Sequence, residues 1–66
     1  MIIELYGEDG KIIRKYYTNA RAPRNAAKKY ASYYPNTAYI IIRDYECSYR
    51  YDYGTANEPK KLWRKV

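Results

Sequence analysis

Sixty-six residues and 7.9 kDa suffice for one small domain, residues 1–66, and exclude a second one with its own core. Surface scaling gives about 4,400 Å² exposed when folded against about 11,500 Å² for the unfolded chain, so folding hides only about 60% of it. Hydrophobic residues make up 47% and charged residues 30%, too apolar for a disordered chain, and 13 basic residues against 7 acidic leave a net charge of +6.

Residues 2–17 read as a β-hairpin. Ile2, Ile3, Leu5 and Tyr6 precede Gly7-Glu8-Asp9-Gly10, and Ile12, Ile13, Tyr16 and Tyr17 follow it, so two β-rich runs flank a Gly-bounded turn. Residues 20–34 read as a helix, with Thr18 or Asn19 as cap, Pro23 in the first turn and Pro35-Asn36 as the stop. Ala27, Tyr30, Ala31 and Tyr34 fall at i, i+3, i+4 and i+7, one apolar stripe at the helical period. Residues 37–53 read as a second hairpin, in which Ala38, Ile40 and Ile42 alternate with Tyr39, Ile41 and Arg43. After a turn at Asp44-Tyr45-Glu46, Cys47, Tyr49, Tyr51 and Tyr53 alternate with Ser48, Arg50 and Asp52. Residues 54–59 read as a loop, and Lys60 to Val66 as either a short edge strand or a free tail. The order β-β-α-β-β, with or without a fifth strand, implies an α+β fold: a small, mainly antiparallel sheet with one helix on one face. If Ile40 and Ile42 point at the helix, Tyr39, Ile41, Arg43 and Tyr45 point away. Tyr49, Tyr51 and Tyr53 share one face, and alternation alone leaves open which one it is.

The missing residue types narrow the chemistry. There is no His, so the commonest general base and transition-metal ligand are absent, and a lone Cys47 closes no intrachain disulfide and builds no cysteine zinc site. No carboxylate pair is spaced for joint acid–base work and no Gly-rich phosphate loop is present, so we expect a non-enzymatic chain with neither cofactor nor metal. No apolar run approaches ~18 residues, and Met-Ile-Ile-Glu lacks the basic and apolar regions of an export signal. The expectation is a cytoplasmic protein without membrane partners.

Tyrosine is the compositional anomaly: eleven Tyr, one Trp and no Phe. A phenol packs its ring while leaving its O–H at water or at a partner, which suits half-buried aromatics in a shallow core as well as a contact surface. Charge is segregated as well. Between Asp9 and Asp44 lie Lys11, Arg14, Lys15, Arg21, Arg24, Lys28, Lys29 and Arg43 with no acid among them. Arg21, Arg24 and Lys28 form a helical stripe with no acid at i+3 or i+4, an arrangement that costs a few tenths of a kcal/mol per pair.

These features point to a small basic binding module whose partner is nucleic acid or an acidic, nucleic-acid-handling protein. Arg21, Arg24, Lys28 and Lys29 supply the positive stripe, Arg14, Arg43 and Arg50 support it, and Tyr39, Tyr49 and Tyr51 are the candidate stacking or hot-spot rings. No RNP, KH, zinc-finger or helix-turn-helix signature is matched. The alternative is an inhibitor or adaptor that binds a host protein through a Tyr/Arg-rich surface. In size and composition alone the chain is similar to small virus- or mobile-element-encoded antagonists of the anti-CRISPR kind. A homodimer through the Tyr face or an open sheet edge is compatible with either function.

Overall fold

The computed structural model of the protein describes residues 1–19, 21–53 and 63–66. Two hairpins and a helix are where alternation and period place them: β1 (Ile2–Tyr6), β2 (Ile12–Tyr17), α1 (Pro23–Ser32), β3 (Tyr39–Arg43) and β4 (Ser48–Asp52). A fifth strand, β5 (Trp63–Lys65), decides the chain end in favour of an edge strand over a tail. The loop expected at 54–59 lies outside the described residues.

All neighbouring strands pair antiparallel in the order β2-β1-β3-β4-β5. The first turn closes with Gly10 N–H donating to the Gly7 carbonyl at 3.1 Å, and Gly10 has φ +80°, a conformation that L side chains rarely adopt. Between Leu5 and Tyr6 the register slips, so Tyr6 faces Ile12 and Ile13 is the extra residue of a bulge. The second turn closes at 2.9 Å, with Asp44 N–H donating to the Cys47 carbonyl.

The helix is shorter than the expected 20–34. Its cap is Ala22 rather than Thr18 or Asn19, and it makes no side-chain capping bond, because Pro23 already pre-sets the first helical φ. Thr18 N–H is instead used by the sheet, donating to the Met1 carbonyl at 3.1 Å. At the other end Tyr33 and Tyr34 tighten onto the Tyr30 and Ala31 carbonyls, and Pro35 forbids another turn. The Thr37 hydroxyl then donates to the Tyr34 carbonyl at 2.7 Å, which fixes the path from helix to β3.

Opposed residues in the ladder share a face, so the register sorts every side chain. Ile3, Ile42 and Tyr49 form one row toward the helix, and Leu5, Ile40, Tyr51 and Trp63 form the next. Ala27 and Ala31 of the helix close onto these rows, and their small side chains let the axis approach the sheet. Burying Ile3, Leu5, Ile40 and Ile42 stabilises the fold by about 1.5–3 kcal/mol each. The other face carries Ile2, Glu4, Tyr6, Tyr39, Ile41, Arg43, Arg50 and Asp52, with nothing packed over it among the described residues.

This assignment predicts unequal losses at adjacent isoleucines. Ile40→Ala, beneath the helix and fully buried, should destabilise by about 2–5 kcal/mol. Ile41→Ala, on the open face, should lose clearly less. Urea unfolding followed by tyrosine fluorescence checks this, and equal losses would contradict the facing of β3.

Candidate functional site

The ten residues that composition and spacing single out divide between the two faces. Tyr39, Arg43 and Arg50 lie on the open face, whereas Arg14, Arg24, Lys28, Tyr49 and Tyr51 lie on the helix side. Arg21, just before the helix, and Lys29, on its outer surface, are both exposed.

On the open face two carboxylates, Glu4 and Asp52, are shared by four cations. Glu4 sits at the centre of β1 with its side chain only 8% exposed, and its Oε1 accepts from Arg43 Nε at 2.7 Å and from the Tyr6 hydroxyl at 3.0 Å. Lys15 Nζ approaches Oε2 at 3.8 Å. Toward the other edge Arg50 and Arg64 are directly opposed, which would be repulsive, but Asp52 lies between them. It accepts from Arg50 Nη2 at 2.9 Å and from Arg64 Nη2 at 3.0 Å. Arg50 also lies 3.9 Å above the Tyr39 ring, and Tyr39 stacks on Tyr6 at 4.8 Å with a 5° interplanar angle. The face is thus a locked column of Tyr6, Tyr39 and Arg50 beside a buried carboxylate.

The helix side is built differently. Arg24 lies 5.3 Å from the Tyr49 ring centroid, Lys28 lies 4.8 Å from that of Tyr51, and Arg14 lies 5.9 Å from that of Tyr16. Among the described residues no carboxylate pairs with any of these three cations. Rings, not acids, hold them, each contact contributing about 0.5–1 kcal/mol at such exposed positions. The register adds Lys65, which β5 places opposite Tyr49 on this same face. Arg24 also occupies the second helical position, where the macrodipole is positive and no acid is present to compensate. Lys65 is not among the residues that the sequence singles out, because its face depends on whether and in what register residues 63–65 join β4.

The rings themselves are largely occupied. Tyr51 is buried, with Tyr53 at its edge and Trp63 tilted against it 5.1 Å away, so it is a core residue and offers no face to a partner. Tyr49 is half-buried with Arg24 over it. Tyr16 stacks on Tyr30 at 4.1 Å and meets the Tyr34 hydroxyl at 3.2 Å. Tyr51 is therefore no exposed stacking ring, since its parity along β4 puts it on the helix side, where Tyr53 and Trp63 pack against it. Trp63 Nε1 is buried beside this cluster with no acceptor among the described residues.

Among the described residues no three acidic or cysteine side chains gather where a metal ion could be held, and no helix is long and apolar enough to cross a membrane. No protein-family model, curated protein or solved structure matches the chain.

Four phenols have hydroxyls harder to ionise than usual. For Tyr6 the cause is burial and then the Glu4 carboxylate, for Tyr16 the hydrogen bond with Tyr34, for Tyr49 that with Cys47, and for Tyr53 burial. A raised folded value means stability that is complete below the ordinary pKa of 10.0 and is lost as pH rises through the folded value. Stability from these groups should therefore stay level from about pH 7 to 9.5 and fall above about pH 10. Absorbance at 295 nm should show a late tyrosinate fraction in the folded protein that is missing in urea. Superimposable titrations in the two states would refute it.

Proposed function

We propose that the protein is a non-enzymatic module that binds nucleic acid through the phosphate groups, using the helix side of the molecule. The observation that carries this reading is the division of ion pairing between the two faces. Every ion pair among the described residues, from Glu4 to Lys15 and Arg43 and from Asp52 to Arg50 and Arg64, is on the open face, and the helix-side cations have none. Arg24, Lys28 and Lys65, flanked by Arg21, Lys29 and Arg14, form a basic surface, with the Asp44 carboxylate acting on the Tyr49 hydroxyl at its margin. Such a surface is stabilised when phosphates replace its counterions.

Replacing Arg24 and Lys28 together by Gln should weaken binding to a mixed-sequence oligonucleotide at least tenfold at 50 mM salt. Stability should fall by only about 1–2 kcal/mol, the two lost ring contacts. Fluorescence anisotropy with a parallel urea melt measures both, and unchanged affinity would remove the helix from the interface.

A second reading is favoured by the open face, where Arg50 is clamped between Asp52 and Tyr39. Tyr and Arg held this way lose little entropy on contact, which is the character of a protein-binding hot spot. An acidic protein captured in stoichiometric amount by the wild type and lost with Tyr39→Ala, but retained with the helix double variant, would establish this reading over the first.

A further inference from the structure

Resting on the nucleic-acid reading above, we infer that the ligand of the helix side is double-stranded and is held through its two phosphate backbones without sequence readout. Single strands are held by successive rings on which unpaired bases stack, beside a groove that tracks one backbone. This surface has cations but almost no free rings. Tyr51 is buried, Tyr16 is covered by Tyr30, Tyr49 is half-buried under Arg24, and among the described residues the exposed rings are Tyr33 at the helix C-cap, Tyr17 on the open face and Tyr45 in the turn after β3.

The layout of the charges agrees. Arg14 and Lys65 stand on the two edge strands of the sheet, β2 and β5, about 19 Å apart at the ordinary strand spacing. Arg24 and Lys28 lie between them, on a helix about 15 Å long. This is a two-dimensional array, broad enough to meet more than one row of phosphates. A duplex offers one charge per about 1.7 Å of its axis and keeps its bases paired with one another. Rigid cations without stacking partners gain most from that denser, ring-independent target. The guanidinium groups of Arg14 and Arg24 lie against tyrosine rings, which hinders the bidentate contact that reads bases.

The test uses the full chain and fluorescence anisotropy with a 20-base-pair DNA duplex, a second duplex of unrelated sequence, an RNA duplex, and each separated strand. At 50 mM NaCl a duplex should bind at least tenfold more tightly than its strands, and the two DNA sequences should agree within about threefold. With four cations on phosphates, affinity for the DNA duplex should drop about a hundredfold between 50 and 200 mM salt. Tyr33→Ala should leave duplex binding unchanged. The RNA arm identifies which kind of duplex is preferred, and preference for either over its strands supports the inference. Strands that bind as tightly as duplexes, strong discrimination between the two sequences, or a tenfold loss with Tyr33→Ala would overturn it while leaving the nucleic-acid reading in place. Absence of salt-sensitive binding to all of these probes would overturn both.

Discussion

A ten-residue helix about 15 Å long and 10 Å wide cannot cover a sheet of five strands that spans about 19 Å. The helix covers the centre, β1 and β3, and there the side chains are aliphatic and fully buried: Ile3, Leu5, Ile40 and Ile42. On the flanks the roof is missing, and tyrosines supply it. Tyr16, Tyr30 and Tyr34 close the β2 side, and Tyr49, Tyr51 and Tyr53 with Trp63 close the side of β4 and β5. A ring in that position has one edge in the core and the other at water, and a phenol satisfies both where a phenyl group would not. The absence of Phe follows from this geometry better than from any demand for exposed stacking rings, since Tyr51 is itself core.

The same geometry explains why the two faces carry charge differently. Flank rings present their π-faces outward at the height of the helix surface, and Arg14, Arg24 and Lys28 settle on them without needing carboxylates. The open face has no roof at all, and its central β1 position is taken by Glu4, buried beneath Arg43, Lys15 and Tyr6. Ion pairs and a stacked Tyr6–Tyr39 pair there do what a second helix would do elsewhere, which is to keep water off the middle of the sheet. Glu4 and Asp52 are engaged in that task, and among the described residues the cations of the opposite side are left without a carboxylate partner. One-sidedness of the ion pairing is thus a by-product of how a small chain seals a two-sided sheet.

Much of this was legible in the sequence, and the exceptions share a physical cause. Period-2 alternation and Gly-bounded turns located four strands, and the alanine stripe located the helix, because these signals are local. Alternation sets the relative parity of Tyr49, Tyr51 and Tyr53 but not the sign of their face, which depends on pairing with β3. Ile40 opposite Tyr51 settles it. The helix start was misplaced because Thr18 and Asn19 are good caps in isolation, while the sheet claims Thr18 N–H and Pro23 sets the first turn. Lys65 and Glu4 are not legible as site residues for the same reason: three-residue β5 and a carboxylate in the sheet centre acquire meaning only from long-range register. The candidate list consequently mixed residues of both faces.

The edge strands carry a further consequence of the charge layout. β2 is six residues long and open on its outer side, the situation that invites strand-to-strand association. Two copies paired antiparallel about the middle of β2 would bring Arg14 and Lys15 of one against the same residues of the other, an opposition of like charges. Of these two, Arg14 lies at the border of the helix-side array. There Arg14, like Arg24 and Lys28, rests its charged head on a ring while remaining exposed to solvent. A phosphate approaching from water meets a guanidinium or ammonium already oriented by the ring behind it, so contact need not break the interaction that holds the cation in place. Fold stability and anion binding then draw on opposite sides of the same side chain.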